Sequence, residues 1–341
     1  MNEYTMKDIK KYHSMLLIRR FEEALCPYID NNEIRTPCHL YIGQEAIAVG
    51  ICSHLNDEDL IWGNHRSHGH YIAKGGDVSL LMNEIFCKEN GCSGGRGGSM
   101  HIVDKEKGIL GTVPIVAGTV PLAVGAALSM KLEKLNRVSV TFFGDGATEE
   151  GHVLESINFS NLYDLPVIFV IENNLYSSHM HMSERRKQMD LQEIGSLFGV
   201  PSFKIDGNDV EVVSNTMEEL ISNVRKGGGP AIIECMTYRW RGHVGSSFDE
   251  DVGVKRKNEL SGWLEKDPII REKNRLIEMG VGKGDLQQIE ADVQKEINQG
   301  TLSVIPLGPS SRVLISTCVL IHRDEKSNAS VRAVLSILES L

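Results

Sequence analysis

Two short polar segments, Gly144-Asp145-Gly146 and Glu172-Asn173-Asn174, each follow a run of apolar residues. A carboxylate and a carboxamide are hard oxygen ligands that suit Mg²⁺, which usually also binds substrate phosphates. Twenty-six residues separate Gly146 from Asn173, the length of one helix plus one strand. Because parallel sheets bind ligands at the carboxyl ends of their strands, we predict that Asp145 and Asn174 lie side by side in a metal–phosphate site.

Each segment alone has an ordinary explanation. A lone Gly-Asp-Gly is usually a turn, and two asparagines after a strand usually mark a turn or a helix start. A P-loop is excluded because no Gly-Lys-Ser/Thr follows a glycine-rich loop. The dinucleotide fingerprint is absent because Gly144, Gly146 and Gly151 have the wrong spacing. A metal–phosphate site is therefore predicted from the two segments in combination and not from either segment alone.

The elements that would position these segments are those of an α/β domain. Residues 138–143 and 167–171 are short apolar runs with a helical pattern between them, which predicts a right-handed unit with parallel strands. Strands that are apolar throughout indicate a parallel sheet with helices on both faces. Further elements are expected at residues 203–205, 210–224, 231–236 and 259–298. We expect one domain over residues 1–300 and an atypical C-terminal tail over residues 301–341.

Composition narrows the functional class. The chain has 341 residues, 41% of them hydrophobic and 24% charged, with a formal net charge of −10. An acidic chain has no general attraction for nucleic acid or for an anionic membrane surface. The seven cysteines contain no CxxC pair and no secretory signal is visible, so we expect reduced thiols and a cytoplasmic location.

At this spacing the two polar segments resemble the thiamine-diphosphate motif of transketolase-like enzymes. The wider sequence is similar to the alpha subunits of two-subunit pyruvate, branched-chain 2-oxo acid and acetoin dehydrogenases. The similarity runs in the family's order through roughly residues 5–300, which implies the thiamine-diphosphate-binding fold. The segments that carry it are residues 38–46, 66–70, 94–101, 115–122, 144–151, 172–176 and 238–243.

The resemblance implies a metal and diphosphate site at the strand ends. Asp145 and Asn174 would coordinate Mg²⁺ through their side chains, and Tyr176 would do so through its carbonyl oxygen. Gly146 and Ala147 would lie against the diphosphate of the cofactor.

The resemblance also implies roles for residues outside the two segments. Arg66 would pair with the diphosphate, where its guanidinium suits phosphate oxygens. Val116 would pack near the aminopyrimidine ring. His65, which stands where pyruvate-type members often have tyrosine, would also contact the cofactor. His39 and His243 would face the reacting end as catalytic residues, and His243 would contact the cofactor as well.

Three other histidines receive different interpretations. His68 is expected to brace a loop. His179 and His181 lie in a polar, basic stretch that ends in Arg185-Arg186-Lys187. We interpret that stretch as a mobile, solvated loop and not as a metal site.

The resemblance finally implies partners. The glutamate that activates the aminopyrimidine belongs to the beta subunit in this family, so we expect an α2β2 heterotetramer linked to a lipoyl acyltransferase. The implied activity is oxidative decarboxylation of a 2-oxo acid, pyruvate first among them, with transfer of the acyl group. Two alternatives remain open. One is cleavage of acetoin or another thiamine-dependent carbon–carbon lyase or ligase reaction, and the other is a non-catalytic assembly subunit.

Overall fold

The computed structural model describes residues 3–249, 256 and 259–302. Its α-helices are α1 (Glu3–Asp30), α2 (Glu45–Cys52), α3 (His68–Ala73), α4 (Val78–Ile85), α5 (Val120–Leu132), α6 (Gly151–Leu162), α7 (Met182–Arg185), α8 (Glu193–Phe198), α9 (Val210–Arg225), α10 (Leu260–Leu264), α11 (Pro268–Glu278) and α12 (Lys283–Leu302). A 3-10 helix spans Asp145–Glu149. The strands are β1 (Leu60–Gly63), β2 (Ile109–Thr112), β3 (Ser139–Gly144), β4 (Val167–Asn173), β5 (Tyr176–Ser177), β6 (Met180–His181), β7 (Ser202–Asp206) and β8 (Ala231–Met236).

Six strands form a parallel sheet in the order β2-β1-β3-β4-β8-β7. Strands β3 and β4 are neighbours, and their register pairs Gly144 with Glu172. The two polar segments therefore leave the sheet next to each other, as the chain spacing predicted. Strands β5 and β6 form a separate antiparallel hairpin just beyond the end of β4.

Helices cover both faces of the sheet, which confirms the predicted fold class. Alternate residues of β4 enter different cores, because successive side chains of a strand point to opposite faces. Ile168 and Val170 belong to the core that includes residues of α1, α2 and α9. Phe169 and Ile171 belong to the core that includes residues of α5 and α6. All seven residues of β4 are buried, and the first five are apolar, which matches the central position of the strand.

The predicted central elements were found within a few residues of their expected limits. The helix expected at residues 210–224 is α9, and Asp209 caps its start by accepting hydrogen bonds from two backbone amides. Strands β1 and β2 were not predicted, because each has only four residues and no clear alternation. Helix α5 was also missed, since its buried residues are mainly alanine and valine.

The C-terminal boundary remains a prediction. Helix α12 continues to Leu302, two residues past the expected domain end at residue 300. Residues 303–341 of the expected tail lie outside the described residues. Among the helices that the structure describes, none combines the length and the apolarity needed to cross a lipid bilayer.

Candidate functional site at the carboxyl ends of the strands

A cleft of about 670 Å³, open to solvent, lies at the carboxyl ends of β1, β3 and β4. Nine of the ten predicted site residues line it: His65, Arg66, Val116, Asp145, Gly146, Ala147, Asn174, Tyr176 and His243. The tenth, His39, is not part of the lining, but its ring centroid is 4.6 Å from that of His65. The structure thus brings together residues that are more than 200 positions apart in the chain.

Asp145 and Asn174 occupy the wall where β3 and β4 end. Asp145 begins the 3-10 helix and is only 1% exposed. The Asn174 side chain is held on both sides: its Nδ2 donates to Gln44 Oε1 at 2.9 Å, and its Oδ1 accepts from the Tyr176 amide at 3.2 Å. The carboxylate and the carboxamide therefore lie in one cleft with fixed surroundings.

The Asp145 carboxylate forms a buried ion pair with Arg185 at the end of α7. Arg185 also contacts Glu149, and Arg186 Nη1 donates to Thr148 Oγ1 at 2.8 Å. Burial raises the pKa of the Asp145 carboxyl, and the Arg185 charge opposes that rise. The predicted solvated stretch is exposed at His179, Ser183 and Lys187, but the prediction is wrong for Arg185, whose side chain is 6% exposed beside a buried carboxylate.

Arg66 is a buried cation without a carboxylate partner. Its side chain is 5% exposed, yet it forms no ion pair with any described residue. It donates instead to two backbone carbonyls, from Nη1 to Leu40 O at 2.8 Å and from Nη2 to His243 O at 2.7 Å. Burial and the nearby charge of Arg239 both lower the pKa of Arg66. Since a buried charge is costly without a counter-charge, this position favours a bound anion.

The surroundings of Arg66 fit a diphosphate group. Gln44 Nε2, in the cleft wall, and the buried Arg239 Nε lack hydrogen-bond partners within the described part of the chain. Both are donors, which phosphate oxygens could satisfy. A Cβ atom at Gly146 would lie 2.6 Å from Ser177 Oγ, so glycine keeps this wall free for a close backbone approach. The donors present therefore match an anionic phosphate ligand.

Three histidine rings cluster beside Arg66. The ring centroid of His243 lies 5.0 Å from that of His39 and 5.6 Å from that of His65. Burial, aided by the Arg66 charge, lowers the pKa of His39 to about 2 and that of His243 to about 3. The pKa of His65 is lowered well below its usual value for the same reasons. All three imidazoles are therefore neutral at physiological pH.

Similarity to known proteins identifies the family of the chain that contains this cleft. A model of the family described as dehydrogenase E1 component matches residues 13–304, which is most of the chain. The chain belongs to the dehydrogenase E1 component family. The buried Arg66 and the other donors near the cleft are consistent with thiamine diphosphate, the cofactor that this family uses.

Individual relatives of this E1 chain are similar over most of their length. The chain is 41% identical over 295 residues to the alpha subunit of acetoin:2,6-dichlorophenolindophenol oxidoreductase from Bacillus subtilis, covering 86% of this chain and 87% of the relative. It is 39% identical over 289 residues to the pyruvate dehydrogenase E1 component subunit alpha from Rhizobium meliloti, covering 84% and 82%. A second acetoin relative, from Cupriavidus necator, is 43% identical over 232 residues, covering 68% and 70%.

These matches confirm the resemblance found in the sequence. The protein is an alpha-type E1 chain of a thiamine-diphosphate-dependent oxidoreductase, and such a chain works with a partner subunit. The alternative of a non-catalytic assembly subunit gains no support from them. The individual roles predicted for the site residues stay predictions.

Several residues in or beside the E1 cleft were given no role in the sequence analysis, Glu172 among them although it lies in one of the two polar segments. Glu172, at the end of β4, is buried and accepts hydrogen bonds from Tyr41 Oη at 2.5 Å and Asn64 Nδ2 at 3.1 Å. His70 Nε2 lies 2.8 Å from the same carboxylate. A charge that directly follows five apolar strand residues was the available signal. Gln44 and Arg185 carried no such local signal.

The expected bracing role of His68 is confirmed. Its ring is fully buried, with Nδ1 2.9 Å from Glu22 Oε1 and Nε2 2.9 Å from Ser99 Oγ. Ser99 belongs to the glycine-rich loop of residues 91–99, so His68 ties that loop to α1.

Proposed function

We propose that this chain is the alpha subunit of a cytoplasmic α2β2 dehydrogenase that decarboxylates a 2-oxo acid oxidatively, with pyruvate as the first candidate. The acyl group would pass to a lipoyl acyltransferase. The observation that carries the proposal is one cleft that joins Asp145, Asn174 and the unpaired cation Arg66. The seven cysteines, which show no disulfide pattern in the sequence, support the cytoplasmic location.

The two walls of the cleft would hold different parts of the cofactor. Asp145 and Asn174 would bind Mg²⁺ through their side chains, with the Tyr176 carbonyl as a third ligand. This oxygen-only set suits Mg²⁺, which keeps phosphate oxygens in its remaining positions. Arg185 holds Asp145 Oδ2, so Mg²⁺ would either displace the guanidinium from this oxygen or bind through Oδ1.

The diphosphate would contact Arg66 and the glycine-containing turn. Arg66 would gain the counter-charge that it lacks among the described residues, and Gly146 and Ala147 would let the phosphates approach the backbone. Val116, at the mouth of the cleft, would pack against the aminopyrimidine, with His65 also near the cofactor. When bound, thiamine diphosphate supplies the electron sink for cleavage of the bond next to the substrate carbonyl.

His39 and His243 would act on the substrate as neutral groups. Because their pKa values are lowered to about 2 and about 3, each ring carries one N–H and one lone pair at neutral pH. They would therefore donate hydrogen bonds to the substrate carboxylate without adding positive charge. The nearby Arg66 supplies the charge of this region.

The apolar mouth of the cleft supports the α–β assembly. Ile115 is 68% exposed and Val116 is 49% exposed, although both are apolar and border the site. Helices α5 and α6 also present apolar side chains to solvent, namely Leu122, Leu132, Phe159 and Leu162. Exposed apolar surface of this extent marks an interaction surface. A beta chain seated there would close the cleft and supply the acid that the aminopyrimidine needs.

Acetoin is the second candidate substrate. Its support is specific: two of the relatives similar to this chain, at 41% and 43% identity, are acetoin oxidoreductase alpha subunits. The reaction would use the same cleft and the same cofactor contacts.

The substrate proposal is tested on the reconstituted α–β pair. Thiamine diphosphate, Mg²⁺ and an artificial electron acceptor are supplied, and turnover is measured with pyruvate, acetoin and branched 2-oxo acids. We expect the highest kcat/KM with pyruvate. Preference for acetoin would establish the second candidate, and no turnover with any of them by a cofactor-loaded complex would contradict both.

Substitutions of Arg66 and of His243 should affect different quantities, the first the affinity for the cofactor and the second the turnover rate. Arg66→Ala should mainly raise the Kd for thiamine diphosphate, because losing one partner of a buried charge pair costs about 2–5 kcal/mol. His243→Ala should lower kcat more than it changes that Kd. Calorimetric titration and turnover at saturating cofactor measure the two effects. Equal losses of kcat for both variants at saturation would contradict this division.

A further inference from the structure

The three clustered histidines come from three separate segments of the chain. His39 precedes α2, His65 follows β1 and His243 follows β8. Each ring offers one nitrogen, and the three nitrogens all lie within 4.8 Å of one another. In a tetrahedral zinc site with Zn–N distances of about 2.0–2.1 Å, ligand nitrogens are roughly 3.4 Å apart. Movements of the ring nitrogens by about 1 Å, through side-chain rotation, would therefore bring the three rings into a coordinating arrangement.

One ring of the cluster, that of His39, has a buried nitrogen with no hydrogen-bond partner among the described residues. His39 is 8% exposed, and its Nδ1 has no hydrogen-bond partner among the residues that the structure describes. A buried polar atom without a partner calls for a ligand or another explanation. The imidazoles are also neutral, which is the form that binds metal ions. Protons therefore do not compete for these nitrogens at neutral pH.

The charges around the cluster select the kind of cation. Arg66 Nη2 donates to His243 Nδ1 at 3.3 Å, so a cation that binds this nitrogen must displace the guanidinium and also meets its repulsion. The negative charge of Asp249 partly offsets this repulsion. Its Oδ2 accepts a hydrogen bond from the His243 amide at 2.6 Å and lies 3.3 Å from His179 Nε2. Only an ion that bonds strongly to nitrogen can offset the repulsion. First-row transition cations and Zn²⁺ meet that condition, whereas Mg²⁺ prefers oxygen.

We propose that His39, His65 and His243 form a binding site for Zn²⁺ or a similar first-row cation, a second metal position in the cleft that also holds Asp145 and Asn174. Three histidines leave one coordination position open, as in zinc sites that exchange a ligand. His65 supplies the third nitrogen ligand, which a tyrosine at the same position would not provide. A bound ion would occupy His39 and His243. That consequence rests on the proposed function, but the binding itself does not.

The experiment uses the purified full-length chain with excess Mg²⁺ to occupy oxygen sites. Co²⁺ is titrated by visible absorption, and Zn²⁺ is then added to displace it. We expect one equivalent of tightly bound Co²⁺ with imidazole-type bands. His65→Tyr, which keeps an aromatic ring but removes the nitrogen, should weaken binding at least about 10-fold, and His39→Gln should do the same.

His54→Gln is the matched control, because His54 lies outside the cluster and bonds to Ser214 Oγ at 2.8 Å. This variant should bind Co²⁺ as the parent does. Circular dichroism checks the fold of each variant, and the less buried His65 keeps the test decisive if His39→Gln does not fold. Absence of stoichiometric Co²⁺ binding, unchanged binding by His65→Tyr, or thiolate charge-transfer bands would each overturn the proposal.

Discussion

Asp145→Ala should abolish magnesium-dependent binding of thiamine diphosphate to the α–β complex. Asp145 is 1% exposed and provides the negative charge of the proposed metal site. Without it, the Arg185 guanidinium would remain in the wall with no carboxylate to release for a metal. Losing one partner of a buried charge pair costs about 2–5 kcal/mol, which corresponds to roughly a 30-fold to several thousand-fold increase in Kd.

Calorimetric titration of the complex with thiamine diphosphate in excess Mg²⁺ measures this effect. Asp145→Asn should give a smaller loss, because it keeps an oxygen ligand but not the charge, and Asn174→Ala should also weaken binding. Glu149→Ala is the matched control, since Glu149 pairs with the same Arg185 but does not line the cleft. Parent-like affinity in Asp145→Ala would rule out the metal assignment.

The second expected result is that this chain alone shows no decarboxylation, however much cofactor is supplied. Val116, the residue proposed to meet the aminopyrimidine, is 49% exposed at the open side of the cleft. The acid that activates the ring would come from a partner chain across this opening. General acid–base help is worth on the order of 10²–10⁴-fold, and positioning of the reacting groups adds to it.

The comparison uses one assay and three samples. Decarboxylation of a 2-oxo acid with an artificial electron acceptor is measured for the chain alone, for the chain with its beta partner, and for the Asp145→Ala chain with that partner. Only the second sample should turn over, and the third controls for activity of the beta chain itself. Robust turnover by the lone chain would point instead to a complete single-chain enzyme.

The neighbouring positions of Asp145 and Asn174 could be predicted because the signal was local and repeated. Each polar segment lies at the carboxyl end of a largely apolar strand, and one helix separates the strands. Right-handed crossover then makes the strands parallel, and their carboxyl ends meet at one edge. The family resemblance added Arg66 and the histidines, which no periodicity indicates.

Arg185 shows what local patterns miss. Its neighbours are polar and basic, which predicts solvation, but its side chain is buried because a carboxylate forty residues earlier needs a cation. The family resemblance placed His39, His65 and His243 at the cofactor site, but it did not predict that their rings pack against one another. Their spacing in the chain carries no information, because three unrelated loops bring the rings together.

The ion pair between Arg185 and Asp145 has a kinetic consequence for cofactor loading. The guanidinium holds Asp145 Oδ2, so a metal ion that binds through this oxygen would associate only after a unimolecular opening step. At low ligand concentration the observed loading rate rises with concentration. At high concentration it levels off at the opening rate, which is a property of the hairpin and of α7 and not of the ligand. At saturating ligand, the rate of metal loading through this oxygen would then be set by the lifetime of one internal contact.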